Sequence, residues 1–169
     1  MFLFKIILST LIIFCSTNIG IIISKRYIYR LQELDEIRNC FLLMETKIRY
    51  TYEPIADIFN QIAEISSDEI RKLFQNIIKN INETDAKIGW ERGIAVTDIS
   101  ITKEDKEILK KFGKMLGQTD KEGQISEINQ IVTLLDRQIK QAELAREKNE
   151  KMYKKMGLIT GIGLVIVLI

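Results

Sequence analysis

Residues 125–142 read ISEINQIVTLLDRQIKQA, and their apolar side chains recur at alternating steps of three and four residues. This spacing places one apolar stripe along an α helix and is typical of helices that pack side by side. The stripe consists of Ile125, Ile128, Val132, Leu135, Ile139 and Ala142. The segment therefore predicts a long helix that lies lengthwise in a helical bundle.

The residues that precede this helix show the same helical spacing, without the two-residue alternation of half-buried β strands. Breakers and capping residues divide them into five further helices. The first helix is predicted to extend to about Tyr50, the second to begin at Pro54, and the third at a Ser66-x-x-Glu69 capping box. The fourth helix is predicted to begin at Thr84 and Asp85 and to carry Ile88 and Trp90, and the fifth to begin at Thr102. The sequence thus predicts an all-α fold, an antiparallel bundle of about six helices.

The stretch FGKMLGQTDKEGQ, residues 112–124, predicts the corner between the fifth and the last helix. Gly113 allows close packing, Gly117 ends the fifth helix, and a Thr119-x-x-Glu122 capping box with Asp120 starts the last one. A helix corner accounts for every residue except Gln124, whose long polar side chain is available to bond a partner. The candidate partner interface consists of Gly113, Leu116, Gly117, Thr119, Asp120 and Gln124.

The N-terminal residues 6–24, IILSTLIIFCSTNIGIIIS, contain no charged side chain. Nineteen such residues in a helix fit the hydrocarbon core of a bilayer, so we predict a transmembrane helix over residues 1–24. A cleaved signal peptide is the weaker interpretation, because the apolar stretch is too long and no A-x-A-like site follows it.

The C-terminal residues 156–169, MGLITGIGLVIVLI, are also uncharged. They extend only about 21 Å as a helix, against roughly 30 Å of hydrocarbon. If Lys154 and Lys155 snorkel toward the headgroups, a second transmembrane helix covers residues 152–169; the alternative is a buried core helix. Its Gly157-x-x-x-Gly161 spacing predicts close helix packing, with Gly20 of the first span as the intrachain counterpart.

Basic residues flank both apolar ends, whereas residues 51–136 hold eleven Lys or Arg against sixteen acidic residues. Because cytoplasmic flanks of membrane helices carry the Lys and Arg excess, residues 25–151 are predicted to form a cytoplasmic bundle. Anionic lipid would attract the same basic residues. The acidic middle is expected to be the part that meets a partner.

The composition argues against several function classes. The chain has no His, no phosphate-binding loop and no nucleophile elbow, and two Cys cannot make up a zinc site. A net charge of +2 argues against nucleic acid, and the aromatic belt at a membrane interface explains Tyr27 and Tyr29 among the basic residues after the first span. We therefore predict a protein that is not an enzyme, with no catalytic, cofactor or metal site, whose partners are the lipid bilayer and other proteins.

The corner carries a resemblance to a known family. Phe112-Gly113, Leu116-Gly117, Thr119-Asp120 and Gln124 are followed by a long charged helix and by the ending KMYKKMGLITGIGLVIVLI. With the segment around Trp90, this order closely resembles the stage III sporulation protein AB family over essentially the whole chain.

The resemblance implies a role in endospore formation in Bacilli and Clostridia, within the machine that links mother cell and forespore. The soluble domain of this family is similar to the cytoplasmic helical domain of type II secretion platform proteins, which couple a cytoplasmic ATPase to the assembly above. The implied partners are other sporulation membrane subunits, an ATPase and further copies of the chain, in the mother-cell membrane around the forespore. A membrane-anchored regulatory adaptor that binds a membrane enzyme or a partner helix is the alternative.

Overall fold

The computed structural model describes residues 2–51, 53–116 and 120–168. Within these ranges the chain forms six α helices and no β strand, which confirms the predicted all-α fold. The helices are α1 (Phe2–Tyr50), α2 (Ile55–Ile65), α3 (Asp68–Glu83), α4 (Ala86–Val96), α5 (Lys103–Gly113) and α6 (Lys121–Leu168).

The chain divides into two compact units, to which α1 and α6 both contribute. The terminal unit combines Met1–Leu31 with Gln141–Ile169, and the central unit comprises Gln32–Lys140. Each unit is described below by itself.

The core of the central unit is built from the apolar stripes that the sequence predicts. Leu34, Ile37, Phe41 and Met44 of α1 are almost completely buried, and so are the α6 residues Ile125, Ile128 and Leu135. Ile131 is fully buried as well, although it is not part of the predicted stripe. Full burial of one such side chain contributes about 1.5–3 kcal/mol relative to exposure. Ile139, at the end of the α6 stripe, is only half-buried.

An aromatic cluster lies at the centre of this core. The Trp90 ring packs 5.0 Å from Phe112 and 5.5 Å from Phe59 between ring centroids, and Phe41 lies 5.4 Å from Phe112. These rings come from α1, α2, α4 and α5, so the cluster joins four helices. Ile88, which α4 also carries, is 45% exposed.

Helices α3 and α4 approach each other with almost no side-chain layer between them. A Cβ atom added to Gly89 would lie 2.5 Å from Cα of Ile81, and one added to Gly93 would lie 2.5 Å from Cα of Ile77. Only glycine therefore fits at either position. The Gly89-x-x-x-Gly93 spacing is the sequence signal for this contact, and our prediction did not use it.

Two of the predicted helix starts are confirmed in detail. Asp85 caps α4, since its side chain accepts a hydrogen bond of 2.9 Å from the Lys87 amide. Thr102 and Asp105 form a reciprocal capping box at α5, with bonds of 2.8 and 3.2 Å. Each cap satisfies amide groups that the first helical turn leaves without a partner.

The capping box predicted at Ser66-x-x-Glu69 is wrong. The Ser66 hydroxyl donates instead to the carbonyl oxygen of Ile62 at 2.7 Å, so it closes α2 rather than opening α3. Helix α3 follows Ser67, whose amide and hydroxyl both donate to the Glu36 carboxylate at 2.7 Å. The Glu36 carboxylate of α1 thus replaces the local cap.

The terminal unit exposes large apolar side chains along both of its helical segments. Ile7 and Phe14 of α1 are 67% and 66% exposed, and Ile159 and Val167 of α6 are 66% and 83% exposed. Among the described residues, one helix, Lys5–Tyr50, is long and apolar enough to cross a membrane, with its apolar part near the N terminus. Lys151, Lys154 and Lys155 directly precede the uncharged C-terminal stretch, and the second predicted span stays a prediction.

Candidate functional site

The predicted corner begins earlier in the chain than its sequence suggests. Helix α5 ends at Gly113 and continues as a turn, in which the Met115 amide donates to the Phe112 carbonyl oxygen at 3.0 Å. Gly117 and Thr119 lie outside the described residues, so their predicted capping roles stay predictions.

Gly113 has a packing role inside the bundle. A Cβ atom on Gly113 would lie 2.7 Å from Cδ1 of Trp90, so the absence of a side chain makes room for the indole. The indole is further fixed by its Nε1–H, which donates to the Leu109 carbonyl oxygen at 2.8 Å. Leu116 is buried as well, so neither residue offers a surface to a partner.

Asp120 forms the start of α6 in the described structure. Its side chain accepts a hydrogen bond of 3.0 Å from the Gly123 amide, and its carbonyl oxygen accepts one of 3.0 Å from the Gln124 amide. A carboxylate here also lies favourably at the positive end of the helix dipole. Asp120 itself is exposed.

Gln124 lines a surface groove of about 410 Å³ in the central unit, which we call the corner groove. Its other lining residues come from the end of α1, the connection to α2, the start of α2 and the start of α6: Ile48, Thr51, Glu53, Ile55, Ile58 and Lys121. The Glu53 carboxylate is held by Gln61 at 2.8 Å and lies 3.7 Å from the Lys47 ammonium. The groove thus offers apolar walls with fixed charged groups, a combination that suits a protein segment.

Glu33 is a buried carboxylate of α1. It is 7% exposed and accepts a hydrogen bond of 2.5 Å from the Ser100 amide. Burial raises the pKa of Glu33, and the negative charges of Glu69 and Asp98 add to the rise, while the bonds from Ser100 oppose it. These bonds join α1 to the segment before α5.

Cys40 is buried, with its Sγ 3.7 Å from the Ser66 hydroxyl. Burial raises the pKa of the Cys40 thiol to about 11, so the reactive thiolate is scarce at neutral pH. Both cysteines are free thiols, and Cys15 is exposed. Among the described residues, no cluster of three or more His, Cys, Asp or Glu side chains has the arrangement of a metal site.

In the terminal unit the structure brings the three predicted packing glycines together. A Cβ on Gly20 would lie 2.5 Å from the Tyr153 carbonyl oxygen and 3.0 Å from Cα of Gly157, and one on Gly161 would lie 3.0 Å from Cα of Ile13. The Ser16 hydroxyl donates to the Gly157 carbonyl oxygen at 2.6 Å. The two segments therefore run antiparallel in backbone contact, as small residues allow in membrane helices.

Comparisons with known proteins agree with one another. The family model of Stage III sporulation protein AB matches residues 5–169. Stage III sporulation protein AB of Bacillus subtilis (strain 168) is 30% identical over 168 residues, which cover 97% of this chain and 98% of that protein. A solved structure of Stage III sporulation protein AB (SpoIIIAB) superimposes with a TM-score of 0.66 at 26% identity, covering 71% of this chain and 98% of that one.

Proposed function

The chain belongs to the stage III sporulation protein AB family, and from this premise we propose that it is a membrane-anchored, non-enzymatic assembly platform. In this proposal the terminal unit holds the protein in the mother-cell membrane around the forespore. The central unit faces the cytoplasm and couples an ATPase to the other subunits of the sporulation complex.

Exposed apolar surface supports membrane insertion of the first span. Ile7, Leu11, Phe14 and Ile22 are each at least 57% exposed on α1. Water contact would cost about 1.5–3 kcal/mol for each large aliphatic or aromatic side chain, whereas lipid contact removes this penalty. Ser9, Thr10, Thr17, Asn18 and Ser24 bond within their own helix, and Ser16 bonds the Gly157 carbonyl oxygen, so these polar groups have partners without water.

The second span is supported by its packing against the first. Atoms of α1 pack directly against Gly157 and Gly161. The large side chains of Ile159, Ile162 and Ile166, on the rest of the helix surface, are 44–75% exposed. A core helix of a soluble protein would instead bury its large side chains and leave its small residues at the surface. The opposite distribution is expected for a helix surrounded by lipid.

Charge supports a cytoplasmic central unit. The terminal unit carries nine Lys or Arg against three acidic side chains, and eight of the nine follow the first apolar segment or precede the second. The positive-inside rule places such flanks on the cytoplasmic side.

The orientation test needs an exposed reporter, because buried Cys40 reacts slowly whichever way the unit faces. Tyr50 is 76% exposed, so Tyr50→Cys provides that reporter. We expect an impermeant maleimide to label it only after lysis. Labelling in intact cells would contradict the cytoplasmic orientation.

The corner groove is the proposed docking site for the ATPase. It combines apolar walls with the Glu53 and Lys121 side chains.

The observation that carries the platform proposal is the family match along residues 5–169, which includes both apolar ends and the bundle.

Co-purification of the ATPase with the full-length protein tests this site. Gln124→Phe puts a bulky ring into the groove, and Gln130→Phe makes the same change at an exposed α6 position outside it. If the contact contributes about 1.4 kcal/mol, Gln124→Phe reduces recovered ATPase about tenfold, whereas Gln130→Phe leaves it unchanged.

Failure of the wild-type protein to recover the ATPase while its central unit stays folded would refute the coupling. The stage of sporulation arrest separates the platform from a regulatory adaptor. Deletion of a platform arrests cells after engulfment, whereas loss of an adaptor produces a milder shift.

A further inference from the structure

A second groove, of about 500 Å³, runs along the terminal unit between the apolar segments of α1 and α6; we call it the apolar groove. Ile12, Ile19 and Ile23 line it from α1, and Met156 and Leu164 line it from α6. The Ser16 hydroxyl on its wall is already bonded to the Gly157 carbonyl oxygen. The surface that the groove offers is therefore close to hydrocarbon in character.

The length of the apolar groove matches one leaflet of a bilayer. Its α1 lining extends from Ile12 to Ile23, about 16 Å at 1.5 Å per helical residue. The hydrocarbon core is roughly 30 Å thick, so the groove covers about half of it. A transmembrane helix of a partner would need a groove that extends through both leaflets, whereas the acyl chain of one lipid lies within a single leaflet.

Positive charge follows the groove at the Ile23 end. Residues seven positions apart lie on nearly the same face of a helix. Arg26 therefore lies on the face of α1 that carries Ile12 and Ile19, and Arg30 lies on the face that carries Ile23. Tyr153 lines the same end and stacks on Tyr27 with 5.8 Å between ring centroids. Aromatic and basic residues at this depth are typical of the headgroup region.

A second copy of the chain is a poor occupant. Two copies in one membrane share one orientation, so their basic flanks would meet at the same depth and repel each other. The net charge of the terminal unit favours an anionic occupant instead.

We infer that the apolar groove holds one anionic phospholipid, with an acyl chain against Ile12, Ile19 and Ile23 and its phosphate at Arg26. This inference rests on the proposed membrane insertion. The lipid fills the groove beside the two helices and gives the terminal unit a preference for membranes rich in anionic lipid.

Lipid retention by the full-length protein tests the inference. The protein is placed in nanodiscs of equal parts phosphatidylglycerol and phosphatidylcholine, released, and examined by native mass spectrometry for bound lipid. We expect one phosphatidylglycerol per chain in preference to phosphatidylcholine. Equal retention of the two lipids would overturn the inference.

Two matched pairs of variants locate the site. Arg26→Gln should lower phosphatidylglycerol retention about fivefold, whereas Lys25→Gln removes the same charge from an exposed position off the groove face and should not. Ile19→Trp should fill the groove and displace the lipid, whereas Ile22→Trp, on an exposed face outside the groove, should leave it bound. Equal effects within either pair would show that the lipid does not occupy this groove.

Two further results separate the competing explanations. If carbonate extracts the wild-type protein from vesicles, both the membrane proposal and the lipid site are refuted. If the protein stays in the membrane pellet but binds phosphatidylglycerol and phosphatidylcholine equally, the lipid site alone is refuted. Cys15 lines the groove, so an oxidative Cys15 cross-link between chains in vesicles would show that a second copy occupies it instead.

Discussion

The fit between Gly113 and Trp90 provides a sharp test of the central core. In the variant Gly113→Ala, the new Cβ would lie 2.7 Å from Cδ1, 3.1 Å from Cγ and 3.2 Å from Cβ of Trp90. The last two atoms are at the root of the side chain, so rotation of the ring cannot relieve all three contacts. The indole must move away from α5.

The destabilisation follows from this movement. Overpacking of a close-packed core costs about 1–3 kcal/mol, and loss of the Trp90–Leu109 hydrogen bond adds about 1 kcal/mol. Alanine recovers at most about 1 kcal/mol through its higher helix propensity. We therefore expect a net loss of about 1–3 kcal/mol in the free energy of unfolding, which lowers Tm by about 4–12 °C.

The assay uses the single tryptophan of the chain. Trp90 is the only Trp in the sequence and lies in the central unit, so its fluorescence follows the unfolding of that unit in the full-length protein in detergent. Gly163→Ala is the matched control, because a Cβ at Gly163 meets nothing within 4 Å. We expect the control to melt as the wild type does.

An unchanged melting temperature for Gly113→Ala would refute the reasoning, because the clash would then be relieved without loss of packing. A red-shifted emission with unchanged Tm would also contradict it, since it would mean that the indole can leave its site at no energetic cost.

Three further predictions concern the central unit. Gly93→Ala should lower Tm more than Gly113→Ala does, because its Cβ meets the backbone of Ile77 and forces two helices apart; thermal melting followed by Trp90 fluorescence checks it. Since the pKa of Glu33 is raised on folding, its ionisation destabilises the protein, so stability should rise as pH falls from neutral toward the ordinary carboxyl range. Thermal melts of Glu33→Gln should lack that rise. Thiol titration at pH 8 should modify Cys40 only after unfolding, because the thiol is buried and its pKa lies near 11.

Much of the fold could be predicted because helix formation has local signals. Asp85 and Thr102 stand at the predicted starts of α4 and α5, and the side-chain capping bond of each joins residues no more than three positions apart. The start of α3 was mispredicted because the Glu36 carboxylate, thirty-one residues away in the chain, takes over the role of the cap. No pattern around Ser66 contains that information.

The candidate partner interface stays a prediction, and for the same reason the sequence does not separate its buried members from its exposed ones. Gly113, Leu116 and Gln124 look alike in sequence as members of one corner, yet the first two are buried and only Gln124 lines a groove. Which side of a turn faces the core depends on the helices that lie opposite it.

By itself, the sequence determined the six helices, the apolar ends and the charge on their flanks, because periodicity, capping and hydropathy depend on near neighbours in the chain. The tertiary structure decided that Gly89 and Gly93 lie against the backbone of α3, that Cys40 is buried, and where the two grooves open. These properties depend on the atoms that a distant helix brings into contact, and single-chain patterns do not record which helices meet.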